Sequence, residues 1–293
     1  MSITLHISPI IALFGETISK IVTALLIALI LGSISISAVA KTTVTVSGST
    51  TVEPLAEACA EAFNNQSSDY QVLVSGGGTG AGITAAAQGT SDIGMASREV
   101  TADEKTKYGN KFEQTDLGYD GICICVSKQL YDAGVQKLTS TQIKEIYAGN
   151  TTNWKQVGGP DEPIYAIARE EGSGTRDNFN QIIMGSTTAE TKESTVAQSS
   201  SEVKTAIVGS DKAIGYVGFS YIRDGAISAV AVNGVLPTVQ TIVDGSYLLN
   251  RHLYFYTFGD PKPGAKAFTD FVTSAAGQKI ADENGFIPLS AKT

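Results

Sequence analysis

Three cysteines among 293 residues are too few, and of the wrong parity, for a disulfide framework. Eight prolines and 30 glycines, set against 42% hydrophobic residues, exclude collagen-like and disordered chains. Positive charge is also scarce: 21 basic residues face 29 acidic ones, a net charge of −8, so there is no basic footprint for nucleic acid. Histidine occurs only at His6 and His252, and no His/Cys/Asp group has metal-ligand spacing. A G-x-x-x-x-G-K-[ST] phosphate loop is absent. These absences predict a globular chain without metal or cofactor, in which any bound anion is held by local groups rather than by the overall field.

At about 150 residues per domain, the length suggests two lobes. The first 40 residues differ from the rest: Lys20 precedes an apolar run from Ile21 to Leu31, followed by small residues and Ala38-Val39-Ala40. This is the order of a signal peptide with cleavage after Ala40, and it predicts export. The strongly apolar stretch is shorter than the ~20 residues of a spanning helix, although an uncleaved leader acting as an anchor is an alternative. No lipid-attachment cysteine follows Ala40. Cys59, in a helical pattern, and Cys123 and Cys125, in a strand, read as small buried hydrophobes.

From Lys41 one unit recurs: a β-branched strand, a turn rich in glycine and hydroxyl residues, and an amphipathic helix. The first copy joins strand 42–46 to a helix with Val52, Leu55, Ala56, Cys59, Ala60 and Phe63 on one face. The second joins strand 70–74 through Ser75–Gly82 to a helix ending at Gly89. The third joins strand 164–168 through Arg169–Thr175 to a helix carrying Phe179, Ile182 and Ile183. Such alternation predicts an open α/β architecture with ligands at the carboxyl ends of the strands. Two further apolar runs, 121–126 and 253–257, read as strands crossing between the lobes. The predicted division is 41–118 plus 255–293 for one lobe and 119–254 for the other.

The first turn of a helix offers unpaired N–H groups and a positive dipole end, which suits anion binding by an acidic protein. Capping is the commoner use of a single Ser or Thr such as Thr50. Repetition of the turn and the presence of Arg169, whose planar fork matches two oxygens of a tetrahedral anion, favour a shared anion crevice.

With these motifs the chain resembles the phosphate-binding proteins of high-affinity phosphate ABC importers. The resemblance runs over nearly all of 42–290. It is carried by Val46-Ser47-Gly48-Ser49-Thr50-Thr51, Gly76–Gly82, Ser91–Arg98 and Arg169–Thr175, with support from Ile143–Gly149, Asn153-Trp154, Ile214–Val217 and Gly285–Leu289. It implies a two-lobed periplasmic-binding-protein-like (type II) α/β fold with a hinge and an inter-lobe cleft. It also implies a non-enzymatic function, capture of inorganic phosphate and delivery to a membrane permease, by a monomer in the periplasm or at the outer cell surface. Phosphate contacts carried over by position fall on Thr50, Thr51, Thr79, Ser97 or Arg98, Arg169, Ser173, Gly174 and Thr175.

One departure stands out: where well-known members have an aspartate that accepts the phosphate proton, this chain has Arg98. Asp120, near a hinge strand end, is the candidate replacement, and the alternative is that Asp120 pairs with Arg98. Other oxyanions (sulfate, molybdate or tungstate) form the nearest rival reading. A secreted phosphoester hydrolase with Ser173 as nucleophile and a nucleotide-binding enzyme built on Gly76-x-Gly78-x-x-Ala81 are more distant. Arg176 reads as a solvated helix residue. Trp154, Tyr119, Tyr216 and Tyr221 read as core or lobe-surface residues.

Overall fold

The alternation of β-branched and hydroxyl residues in Thr42–Gly48 (β1) turns Val44 and Val46 inward, where they are buried. Glu53–Gln66 (α1) then lays Leu55, Ala56, Cys59, Ala60 and Phe63 against that face. The same unit repeats as Tyr70–Ser75 (β2), Thr79–Gln88 (α2) and Ile93–Ala96 (β3). The short helix Ala102–Tyr108 (α3) opens on a capping box of Thr101 and Glu104. This computed structural model describes residues 40–189 and 191–292, together with Val22. The predicted leader therefore lies outside the described residues except for Val22 and Ala40. Lys41–Thr293 forms one compact unit.

Phe112–Val126 (β4) is fifteen residues long. After it come Ser140–Tyr147 (α4), Tyr165–Arg169 (β5), Gly174–Phe179 (α5, continued by a π-turn Asn180–Met184), Thr195–Ala197 (β6), Ser200–Val208 (α6) and Ala213–Gly218 (β7). The long strand Asn250–Phe258 (β8) and the helices Pro263–Thr273 (α7) and Ala275–Glu283 (α8) follow. The strand order is β2-β1-β3-β8-β4-β7-β5-β6, with the short strand Ser228–Ala229 added to β4. β1 pairs in parallel with β2 and β3, and β5 with β6 and β7, whereas β4 and β8 are antiparallel to each other and to their other neighbours. A mixed α/β sheet with helices packed on it results, as the repeated unit predicted.

β4 starts at Phe112, well before the expected run at Gly121. Its first half, FEQTDLGY, is only partly buried and reads as polar, so hydrophobicity announces only its second half. β3 pairs with β8 around Phe255, while β7 pairs with β4 from Ile122 to Val126. β4 thus runs from one hydrophobic core to another, and β8 enters the first core directly after Leu249 of the second. One core gathers Val44, Val46, Leu55, Phe63, Ile93, Met95, Leu117, Leu253, Phe255 and Phe268. The other gathers Ile122–Val126, Ile143, Tyr147, Trp154, Ile167, Phe179, Ile214, Tyr216 and Leu249, with Phe179 stacked on Tyr216 at 4.1 Å.

The cysteines are free and fully buried, as read from the sequence. Burial pushes the Cys59 thiol up to about 12 and raises those of Cys123 and Cys125 as well. Among the described residues no helix is long and apolar enough to cross a membrane.

Candidate functional site

The turns after β1, β2, β3 and β5 meet at the carboxyl ends of these strands. Neither α1 nor α2 has a side-chain cap, so Thr50 is not the capping residue that its type suggests. Its Oγ1 instead accepts from Arg169 Nη2 at 3.0 Å and from Ser200 N at 3.3 Å, while Tyr221 Oη donates to its carbonyl at 2.7 Å. Thr51 Oγ1 lies 2.9 Å from Thr175 Oγ1 and 3.4 Å from Ser200 Oγ. Thr79 Oγ1 lies 3.3 Å from Ser97 Oγ and accepts from Ser97 N. All of these threonines and serines are buried, and Tyr221 is partly so.

Gly174 explains how α5 comes so close. A Cβ at this position would stand 2.5 Å from Thr79 Oγ1 and 2.7 Å from Ser97 Oγ, so only glycine lets the helix backbone reach those hydroxyls. Beside it, Gly80 N donates to Gly172 O at 2.9 Å. Ser173 is buried and caps α5 by accepting from Arg176 N at 3.3 Å, the commoner use of a Ser at a helix start.

Arg169, at the end of β5, is 1% exposed. Its Nε and Nη2 donate to the two oxygens of Glu170, its Nη1 donates to Ser200 Oγ at 3.0 Å, and its amide donates to Tyr216 Oη. Tyr216 and Tyr221 therefore buttress the site through the backbone rather than merely filling the core. Arg176 is not simply solvated either: its Nη1 donates to Arg169 O at 3.1 Å.

Asp120 does not pair with Arg98. Its Oδ1 accepts from Phe219 N at 2.8 Å and its Oδ2 from Arg251 Nε at 2.8 Å. Close packing at Gly218, where a Cβ would lie 3.2 Å from each Asp120 oxygen and 2.7 Å from Thr51 Cγ2, holds the carboxylate beside the hydroxyl group. Arg251 Nη1 donates to Thr175 Oγ1 at 3.0 Å and to Ser97 O at 3.2 Å. Burial lowers the Arg251 pKa, with Asp120 acting against that loss and Arg169 reinforcing it.

Arg98 is not brought into this cluster. Its Nε donates to Asp177 Oδ2 at 2.7 Å, and its Nη1 and Nη2 donate to the two oxygens of Glu104 at 2.8 and 3.0 Å. Burial alone lowers the Arg98 pKa, but the bonds and charges of Glu104 and Asp177 outweigh it and keep the guanidinium firmly protonated. A cavity of about 420 Å³ opens where Arg98 and Asp177 meet Thr101, Glu171, Arg176 and Thr187–Ala189.

Of the ten predicted residues, then, Thr50, Thr51, Thr79, Ser97, Arg169, Gly174 and Thr175 converge directly. Ser173 and Asp120 adjoin them, and Arg98 lies apart. Sequence reasoning missed Ser200 and Arg251. Ser200 opens α6 within a Ser199-Ser200-Ser201 run, a helix-start signal that was readable, whereas Arg251 sits alone in an apolar strand and signals only as a charge out of place.

The assembled group can hold a tetrahedral oxyanion. Thr175, Thr51 and Ser200 form a chain of three hydroxyls with two contacts between them, and each end receives a guanidinium N–H. Three O–H protons and only two links leave at least one O–H donor directed outside the chain, beside the guanidinium N–H groups at its two ends. Arg169 with Glu170 and Arg251 with Asp120 are each neutral as pairs, so anion binding here requires no excess positive charge on the protein.

The PBP superfamily domain matches residues 34–276. The phosphate-binding protein PstS of Bacillus subtilis is 33% identical over 253 residues, covering 86% of this chain and 82% of that protein. A Clostridium perfringens structure described as a phosphate ABC transporter substrate-binding protein with bound phosphate is 38% identical, with a TM-score of 0.78, covering 85% of this chain and all of the other. An ABC-type phosphate transport receptor from Vibrio cholerae is 32% identical, with a TM-score of 0.69, over 83% of this chain and 99% of the other. With a family match over residues 34–276 and a relative 33% identical over 86% of the chain, the chain belongs to the PBP superfamily, in the family of these phosphate-binding proteins.

Proposed function

We propose that this protein captures inorganic phosphate outside the cytoplasm and delivers it to the permease of a phosphate ABC importer. The observation that carries the reading is the convergence of Thr50, Thr51, Thr79, Ser97, Arg169, Gly174 and Thr175, from four separate turns, on one buried cluster of hydroxyl and guanidinium groups. Likeness to a protein solved with phosphate supports the choice of anion. Capture is by closure: segments 41–118 plus 255–293 form one lobe, 119–254 the other, and β4 and β8 are the hinge strands between the two cores. Thr50, Thr51, Thr79 and Ser97 approach the anion from the first lobe, and Arg169, Ser173, Gly174 and Thr175 from the second. The protein works as a monomer and is exported by its leader to the periplasm or outer surface.

No bond is broken in this scheme. Ser173 serves as the helix cap, and His252 bonds Asp116 at 2.9 Å, so no hydrogen bond joins Ser173 to a histidine base among the described residues. Both Asp120 oxygens are engaged by Phe219 N and Arg251, which favours an orienting role over that of acceptor for the phosphate proton.

Titration calorimetry with phosphate, sulfate and molybdate tests the reading: phosphate binds tightest, and Arg169→Ala weakens phosphate and sulfate alike. Preference for sulfate or molybdate would replace phosphate as the ligand. Turnover of a phosphoester would restore the hydrolase reading.

A further inference from the structure

Arg251 and Asp120 stand directly opposite each other on the paired strands β8 and β4. Arg251 is 8% exposed and Asp120 2%. Burying such a pair costs desolvation that its mutual attraction barely offsets, so a hinge held only by packing would be served as well by apolar residues. The hydrogen bonds of the pair are also lopsided. Asp120 spends both oxygens within it and on Phe219 N, while Arg251 Nη2 lies 2.7 Å from Asp120 Oδ2 with neither of its N–H bonds well directed to an acceptor. Its Nη1 reaches Thr175 Oγ1, one end of the hydroxyl chain whose other end, Ser200 Oγ, receives Arg169.

We infer that Arg251 is a second guanidinium of the phosphate site, donating to the anion from the hinge, and that Asp120 is its positioning residue. This rests on the phosphate reading above. Arg169 and Arg251 then grip the anion from opposite ends of the Thr175–Thr51–Ser200 chain. Arg251 also bonds Ser97 O and Thr175 Oγ1 at once, so its geometry depends on the turn after β3 and the start of α5 lying together. Anion binding and hinge angle are coupled through one side chain.

The test is the double substitution Arg251→Gln/Asp120→Asn, which removes both charges and leaves no buried ion without a partner. It retains the unliganded melting temperature of the parent to within a few degrees, while phosphate affinity by calorimetry falls about ten- to a hundredfold, the range for a hydrogen bond to a charged group. Because Asp120 acts through Arg251, adding Asp120→Asn to Arg251→Gln costs no further affinity. Parental affinity in the double variant overturns the inference and makes the pair a structural pin. Should the double variant not fold, Arg251→Lys keeps the charge and loses the planar fork; a drop of about fivefold or more supports the inference and unchanged binding overturns it. If the parent protein binds sulfate or molybdate instead, the phosphate reading falls, and the same titrations with that anion still decide the role of Arg251.

Discussion

Arg98 Nε donates to Asp177 Oδ2 at 2.7 Å, tying the turn after β3 to the first turns of α5. The same guanidinium is braced by both oxygens of Glu104, and Asn178 Nδ2 adds a bond to Ser97 O at 2.9 Å. At the position where the family resemblance implies a ligand contact, this chain has a bolt between segments belonging to different cores. Neutralising one partner releases the bolt without touching the hydroxyl cluster. Asp177→Asn and Arg98→Ala each speed phosphate release up to about tenfold in stopped-flow measurements, with a smaller effect on capture. Combining them adds little to either alone, as a double-mutant cycle will show. A much larger loss for Arg98→Ala than for Asp177→Asn would mean that Arg98 touches the anion.

Gly174→Ala tests whether close approach of α5 to Thr79 and Ser97 is needed for binding. The added methyl would meet both hydroxyls at contact distances that no side chain tolerates. Overpacking of this kind costs about 1–3 kcal/mol, and because opening of the cleft relieves it, the cost falls on the closed form. Phosphate affinity therefore drops about five- to a hundredfold while the unliganded melting temperature hardly moves. An unliganded protein destabilised as much as the complex would show that the contact persists when the cleft is open.

What was legible in the sequence is what depends on short-range pattern. The period-3.6 face of α1 and the β-branched alternation of β1 announced themselves, and the glycine-hydroxyl turns marked the strand ends where the site lies. Arg169 was legible because it closes an apolar strand and opens a glycine-hydroxyl turn, where a guanidinium is costly to bury without an anionic partner. The partner of Asp120 was not legible, because Arg251 lies 131 residues away and becomes its neighbour only through the register of β4 with β8. Likewise, nothing near Arg98 in the chain names Asp177, 79 residues on. Local pattern places each turn, and the long-range pairing of strands decides which turns meet.

Acid should loosen the rim before it unfolds the cores. Burial pushes the Glu104 carboxyl up, but Arg98 and the Thr101 N–H and hydroxyl pull it further down, so its pKa in the folded protein lies below the ordinary 4.5. A folded-state pKa lower than the unfolded one contributes stability that is complete above 4.5 and lost as pH falls through the folded value. Glu104→Gln therefore lowers the melting temperature at neutral pH, and the gap between variant and parent closes at pH values below 4.5. A gap that is constant across this range would mean that the carboxylate charge contributes nothing to the fold.

The three thiols report on the integrity of the cores. Cys59 packs in one core among Leu55, Ala60 and Phe63, while Cys123 and Cys125 lie in the other on β4. All three are fully buried, and burial raises each thiol pKa, to about 12 for Cys59, so thiolate is scarce at neutral pH as well as shielded. A thiol reagent added to the native protein should leave all three unmodified, and denaturant should release them. Because the cysteines are divided between the two cores, peptide mapping after partial denaturation reads each core separately. Modification of Cys59 ahead of Cys123 and Cys125 would show its core opening first. Rapid labelling of any of the three in the native protein would contradict the packing described here.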